Sequence, residues 1–198
     1  MSLVFTLVVC AFVTYMLVDS AFGIGRHRFQ FNLFLIRQYR INHFLQTIPV
    51  LFIVIGCSLL LNTISFFHKN PIKLLYSWVI GGSSNGGGNF MFTGIGWTPY
   101  ALVLLTLLLV AIPSLAYHEE LSFRKGTIGW VSGIKRSVVF GMAHMVMLIS
   151  FGTAIALSIG GAWFTYQYFK GGVMRSTIYH SVYNSTLVLF LLTAVVLS

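Results

Sequence analysis

Acidic residues are nearly absent from this 198-residue chain, which holds three Asp and Glu against twelve Lys and Arg. Charged residues make up only 8% of it and hydrophobic residues 57%, whereas about 25% of the residues in soluble domains are charged. This composition excludes an ordinary soluble domain. The apolar runs are long and continuous, which disfavours a transmembrane β-barrel. The sequence therefore predicts an all-α polytopic membrane helix bundle that forms a single domain over residues 1–198.

Several common kinds of site are also missing from the sequence. The two cysteines, Cys10 and Cys57, lie in separate apolar runs without a CxxC motif, so neither a disulfide framework nor a thiolate metal site is indicated. The basic residues are scattered between apolar runs instead of forming one polar face, which argues against a nucleic-acid partner. The glycine-rich stretch 81–89 has no GK[ST] sequence, and it is predicted to be a loop rather than a nucleotide site.

Six apolar runs are long enough to cross the hydrocarbon core of a membrane, which takes about 20 residues per helix. Basic residues follow the first run instead of preceding it, which predicts a retained membrane helix and not a cleaved signal. The fourth and fifth runs are joined by almost nothing near residues 150–153, which predicts a tight helical hairpin. The six predicted spans are approximately 1–23, 44–67, 98–123, 132–149, 151–170 and 173–198.

The basic residues predict the orientation of these spans. The first, third and fifth connections hold ten Lys and Arg, and the second and fourth hold two. The positive-inside rule places the three basic connections in the cytoplasm and both termini on the other side. Residues 26–42 mix aromatic and aliphatic side chains with four Arg. This segment is typical either of a helix lying in the membrane interface or of a loop packed on the bundle.

Two of the three acidic residues, Glu119 and Glu120, are adjacent and follow the apolar run 101–115. A carboxylate at membrane depth costs on the order of 2.5–3.5 kcal/mol, so such residues are usually paired and functional. Glu120 and Arg124 are four residues apart in the favourable order for an ion pair along a helix. Glu119 then points roughly 100° away from Glu120 and is free to face the interior of the bundle.

Two further polar positions are predicted at the same membrane depth. His144 lies about three turns into the fourth run, and His180 lies about two turns into the sixth, at roughly 5.4 Å per turn. Both can meet Glu119 in a polar pocket that faces the cytoplasm. Such a pocket suits hydrolysis: Glu119 deprotonates a water with help from His144, while His180 and Asn184 donate hydrogen bonds to the oxyanion.

The three polar segments together carry a recognisable pattern. They read as EExxxR, FxxxH and HxxxN at residues 119–124, 140–144 and 180–184. This set resembles the three motifs of the CAAX protease and bacteriocin-processing family of intramembrane proteases, also called ABI proteins. The resemblance covers residues 113–190, whereas the N-terminal helices in 1–97 match no family and are unassigned.

The resemblance implies a role for each matching residue. Glu119 is the general base on the attacking water, His144 shares that water, and His180 and Asn184 form the oxyanion hole. The remaining two motif residues hold the helix end and orient the base; these are Glu120 and Arg124.

The family includes type II prenyl endopeptidases, so the implied substrate is a hydrophobic peptide, lipidated or not, reached from within membrane lipids. The chain differs from those enzymes in having six predicted spans instead of eight. No cofactor is expected. The alternative is a zinc site of Glu119, His144 and His180, although HExxH is missing. A second alternative for the whole chain is a non-catalytic subunit or assembly factor of a larger membrane complex.

Overall fold

A computed structural model of the chain describes residues 3–23, 27–69, 99–147 and 149–197. Every regular element within these ranges is helical, which confirms the all-α prediction. The glycine-rich stretch 81–89 lies outside the described residues. In chain order the elements are α1 Leu3–Ala21, α2 His27–Ile36, α3 Ile41–Asn62, α4 Ser65–His68, α5 Pro99–Phe123, α6 Gly129–Ala143, the 3₁₀ turn His144–Met147 and α7 Phe151–Leu197.

Helix α7 is interrupted by two glycines. Gly171 has φ −169° and ψ 26°, and Gly172 has φ 69° and ψ −167°. The conformation of Gly172 belongs to a region that is essentially restricted to glycine, because a Cβ atom would be strained there. The break divides α7 into a first arm, 151–170, and a second arm, 173–197. It agrees with the boundary that the sequence predicts between the fifth and sixth apolar runs.

Helices α6 and α7 form the predicted hairpin. A Cβ atom on Gly141 would lie 2.2 Å from the Ala154 carbonyl oxygen. One on Gly161 would lie 3.1 Å from the Ser137 carbonyl oxygen. Gly141 thus lies against Ala154, and Ser137, one turn earlier, lies against Gly161. The two helices therefore run antiparallel. Small residues at these crossings let the two backbones approach closely, as is common between membrane helices.

Helix α7 is central to the bundle, since it packs against α3, α5 and α6. One hydrophobic cluster lies at this junction and combines residues from α3, α6 and both arms of α7. The cluster consists of Leu51, Phe140, Phe164 and Tyr183, each less than 5% exposed.

Residues 26–42 were predicted to be either a helix in the membrane interface or a packed loop, and part of this segment, 27–36, is helix α2. Its Asn32 is fully buried, and the amide Nδ2 donates to the carbonyl oxygens of Ser20 at 3.1 Å and Ala21 at 3.0 Å. Ser114 Oγ of α5 donates to Asn32 Oδ1 at 2.6 Å. Residues 27–36 are therefore a short helix fastened to α1 and α5.

Two helices among the described residues are long and apolar enough to cross a membrane. They are Ile41–Asn62, with mean hydropathy 2.3, and Leu102–Phe123, with mean hydropathy 1.8. Helix α3 buries few of its side chains and exposes large apolar ones, including Phe52 and Leu60 at 61% and 69%. A helix with so much exposed apolar surface is typical of contact with lipid or with a partner rather than of a soluble core. These features indicate a membrane protein.

The structure corrects the prediction of one uninterrupted span over 132–149. Helix α6 ends at Ala143, and His144 is its C-terminal cap, with φ −68° and ψ −13°. The His144 ring donates from Nδ1 to the Phe140 carbonyl oxygen at 2.8 Å. That carbonyl belongs to the last turn of the helix, where it lacks a full set of backbone donors. His144 therefore lies at a helix end and not in mid-helix.

Candidate active site

Glu120 and Arg124 form the buried base of the candidate site. Both side chains are 0% exposed, and Arg124 Nε lies 3.7 Å from Glu120 Oε2. Arg124 Nη2 also donates to the Gly161 carbonyl oxygen at 3.2 Å, and its guanidinium carbon lies 4.6 Å from the centre of the Phe140 ring. The predicted i, i+4 pair is thus present, and it ties the end of α5 to α6 and α7.

Burial lowers the pKa of the Arg124 guanidinium, whereas the carboxylates of Glu120 and Glu119 act in the opposite direction. The group nevertheless remains protonated, because arginine does not lose its proton in proteins. Its Nε and Nη1 atoms have no hydrogen-bond partner among the described residues. A buried cation that is only partly satisfied makes the neighbouring carboxylate necessary, since an unpaired buried charge is very costly.

His180 connects the second arm of α7 to Glu120. Its Nδ1–H donates to Glu120 Oε1 at 2.8 Å. Ser176 lies one turn earlier on the same helix, and its single hydroxyl proton is shared between Glu120 Oε2 and the Phe164 carbonyl oxygen. The Phe164 ring stacks on the His180 ring with centres 4.2 Å apart. These contacts fix the plane of the imidazole and leave Nε2 as the nitrogen that faces away from Glu120.

Glu119 lies on the other side of the same imidazole. Its Oε2 atom is 3.5 Å from His180 Nε2, and the side chain is 29% exposed. Oε2 itself is buried from solvent and has no hydrogen-bond partner among the described residues. His180 is therefore placed between two carboxylates, of which Glu120 is fully engaged and Glu119 retains an unused acceptor. An unsatisfied carboxylate oxygen in a buried position is unusual in folded proteins.

Phe140, the first residue of the FxxxH motif, contacts this group of residues. Its buried ring contacts His144, with centres 4.6 Å apart, and His180, with centres 5.4 Å apart. His144 is half-buried, and its Nδ1 is committed to the Phe140 carbonyl. Its Nε2 is consequently the nitrogen that remains for a ligand or a water.

Asn184 lies one turn after His180 on α7 and is half-buried. Its side chain makes no hydrogen bond to other described residues, which leaves the amide free to donate. The three sequence motifs thus converge on one region, with Glu119, Glu120, Arg124 and His180 in direct contact and His144 joined to them through Phe140.

Two contacts of the site were not predicted. Ser176 precedes His180 by four residues, so helical spacing was a usable signal for a shared face. No sequence spacing indicates the contact between Phe164 and His180. The two residues lie on different arms of α7 and meet only because the helix breaks at Gly171 and Gly172. Glu120 also has a partner beyond the predicted Arg124, since its carboxylate accepts from His180.

The alternative zinc site of Glu119, His144 and His180 is not assembled in this structure. Within residues 3–23, 27–69, 99–147 and 149–197, no three His, Cys, Asp or Glu side chains are grouped so as to hold a metal ion. Both nitrogens of His180 face carboxylates, and His144 contacts the group through Phe140. We therefore assign no step to a metal.

Comparison with known proteins gives no relative from which a role could be transferred. No family model matches the chain, and no curated protein or solved structure does.

Proposed function

We propose that this chain is an intramembrane endopeptidase of the CAAX protease and bacteriocin-processing type. The observation that carries the proposal is the unpartnered Glu119 oxygen beside His180 Nε2. A general base needs a free acceptor within reach of a water, and a polar partner that stays fixed while charge develops. The Glu119 carboxylate, whose side chain is 29% exposed, offers the acceptor, and His180, held by Glu120, offers the fixed partner.

The proposed reaction begins with a water bound between Glu119 and His144. Glu119 removes a proton from this water as its oxygen attacks the carbonyl carbon of the peptide bond. His180 Nε2 and the Asn184 amide donate hydrogen bonds to the resulting oxyanion. The C–N bond then breaks, and the proton held by Glu119 passes to the leaving nitrogen. Water is consumed, and one carboxyl and one amino product are formed.

The geometry sets a condition on His180 in this scheme. Nδ1–H already donates to Glu120, so Nε2 can donate to an oxyanion only when the ring carries both protons. Glu120 and Glu119 flank the ring on its two nitrogen sides. In the proposed enzyme, Glu120 and Arg124 are therefore positioning residues that act through His180.

We further propose that six helical segments cross the membrane, with the site facing the cytoplasm and both termini on the opposite side. The helix limits at 41–62, 99–123 and 151–170 support this topology, as does the distribution of basic residues. Helix α6 has 15 residues and is about 22 Å long, so the 3₁₀ turn after it is needed to approach the hydrocarbon thickness. The substrate is a hydrophobic peptide, lipidated or not, that enters from the lipid phase.

The test compares wild type with Glu119→Gln, which removes the base and preserves its shape. Both proteins are purified in mild detergent and incubated with a library of hydrophobic peptides, with and without prenyl groups, and products are identified by mass spectrometry. We expect at least about a 100-fold loss of cleavage, the low end of a general base's contribution. His118→Gln is the matched control, because His118 is adjacent and exposed.

Cleavage by Glu119→Gln at the wild-type rate would remove the catalytic assignment.

The alternative function, a non-catalytic subunit of a larger membrane complex, is supported by the exposed apolar face of α3, which could contact a partner. It predicts a stoichiometric protein that copurifies equally with wild type and Glu119→Gln, and that is lost when Leu59 or Leu60 on this face is changed to Trp.

A further inference from the structure

A groove with a volume of about 590 Å³ lies between α3, the start of α6 and the two arms of α7. It is separate from the glutamates, since neither Glu119 nor Glu120 lines it. One part of its wall is aliphatic, with Val50 and Ile53 from α3 facing Ile159 and Ala162 from α7. This part has the character of a channel for a hydrocarbon chain.

Aromatic rings line the next part of the groove. Trp163 and Tyr166 are stacked with centres 5.3 Å apart, and Trp130 stacks on Tyr166 at 6.4 Å. Amphipathic rings of this kind are enriched where a membrane helix passes from hydrocarbon to headgroups. The groove therefore runs from an aliphatic to an interfacial environment.

Two cations lie at the polar end. Lys170 Nζ is 4.8 Å from the centre of the Tyr166 ring. Arg175 Nε donates to Gln167 Oε1 at 2.9 Å, and its guanidinium carbon is 5.3 Å from the centre of the Tyr179 ring. None of the lining residues is acidic, so the charge at this end is uncompensated by the wall.

The wall also contains two unused hydrogen-bond donors. Gln167 is 0% exposed; its Oε1 accepts from Arg175, and its Nε2 has no partner among the described residues. The indole Nε1 of Trp163 is likewise buried without a partner in the described chain. Buried donors without partners are rare. Both atoms are covered by protein, so the two cations are the groups that select an anionic ligand.

The glycine break creates this charged end. In a continuous helix, residues five apart such as Lys170 and Arg175 would point about 140° apart. The break at Gly171 and Gly172 allows both to line one groove. A Cβ atom on Gly171 would lie 2.7 Å from Arg175 Cδ, so the absence of a side chain there makes room for the arginine stem.

The geometry points to a binding site for an anionic phospholipid, with the phosphate at Lys170 and Arg175 and one acyl chain along the aliphatic wall. Both halves of the groove are needed for this assignment. A free phosphate would use only the cationic end, and a zwitterionic lipid would leave the excess positive charge unmatched. This inference does not depend on the proposed peptidase activity.

The test uses the two groove tryptophans as reporters. The other two tryptophans of the chain, Trp78 and Trp97, are changed to Phe, and the protein is reconstituted in equal mixtures of phosphatidylglycerol and phosphatidylcholine. Dibrominated acyl chains, which quench nearby indoles, are placed on one lipid or the other. We expect stronger quenching when phosphatidylglycerol carries the bromine. Each basic residue near anionic lipid contributes on the order of a factor of five in affinity.

The double variant Lys170→Gln/Arg175→Gln should lose this preference, whereas Lys170→Arg/Arg175→Lys should retain most of it. The matched control is Lys125→Gln/Lys135→Gln, which removes the same charge from two exposed residues outside the groove. Equal quenching by both lipids in the reporter protein would overturn the inference, as would an equal loss in the control. Loss of the preference on adding millimolar inorganic phosphate would overturn it in favour of a small-anion site.

Discussion

Two polar clusters, one half-buried and one largely buried, include residues from opposite arms of α7 and differ in how completely their hydrogen bonds are satisfied. The asparagine cluster consists of Ser58, Asn62, Ser150 and Thr153. Asn62 Nδ2 donates to Thr153 Oγ1 at 3.1 Å, Asn62 Oδ1 accepts from Ser150 Oγ at 2.6 Å, and the hydroxyls of Ser58 and Thr153 are 2.8 Å apart. Every side chain of this cluster is hydrogen-bonded.

The glutamate cluster consists of Glu119, Glu120, Arg124, Ser176 and His180. It retains unpartnered atoms at Glu119 Oε2, Arg124 Nε and Arg124 Nη1. The asparagine cluster resembles the neutral polar contacts that hold membrane helices together. The glutamate cluster carries charge and unused capacity, which is typical of a site that binds something further. Residual hydrogen-bonding capacity therefore distinguishes the two clusters, whereas polarity alone does not.

The largest expected effect is a difference in the free energy of unfolding between variants of the two adjacent glutamates. Glu120→Gln leaves the buried Arg124 without its counter-charge and should lower the free energy of unfolding by about 3–5 kcal/mol. Glu119→Gln should change it by no more than about 1 kcal/mol, because that side chain is partly exposed and pairs weakly. Reversible unfolding in mixed micelles measures both. Equal destabilisation by the two variants would contradict the division into a structural carboxylate, Glu120, and a proposed base, Glu119.

The second-largest effect on stability is expected at the contact between α6 and the first arm of α7. Gly141→Ala places a Cβ atom 2.2 Å from the Ala154 carbonyl oxygen, and such overpacking should cost about 1–3 kcal/mol. Gly160→Ala is the matched control, because its nearest neighbour would be 3.6 Å away. Thermal unfolding in detergent compares the pair. A Gly141→Ala protein as stable as the control would mean that the α6–α7 contact is looser than described.

The smallest effect is expected in the asparagine cluster. Asn62→Ala removes hydrogen bonds to Ser150 and Thr153, and each such bond between membrane helices contributes about 0.6 kcal/mol on average. The free energy of unfolding should fall by about 1 kcal/mol, with no change in the proposed peptidase activity. A variant that loses activity but retains stability would show that the asparagine cluster is not merely structural.

Much of the secondary structure follows from hydropathy and glycine placement. The predicted spans 44–67, 98–123, 151–170 and 173–198 correspond closely to α3, α5 and the two arms of α7. The fourth span was less well predicted, because hydropathy continues past Ala143 although His144 takes a carbonyl of the last turn. Periodicity cannot detect a side chain that replaces a backbone donor.

The candidate site was predicted as a set of residues more accurately than as a set of contacts. The motifs named every member of the glutamate cluster except Ser176. They did not predict the hydrogen bond between Glu120 and His180. The difference arises because a contact between α5 and the second arm of α7 depends on how two helices pack, and that is not encoded in the spacing within either one.

The sequence by itself determined that the chain is helical and strongly apolar, that α7 breaks at Gly171 and Gly172, and that Glu120 can pair with Arg124. These are local properties, set by hydropathy, by backbone freedom and by the 100° step between neighbouring helical residues. The same step fixes the angle between Glu119 and Glu120 but not which of them faces the core. Only the tertiary structure decided that Glu120 is buried against His180 and that Glu119 keeps a free oxygen, because burial depends on the helix packed opposite.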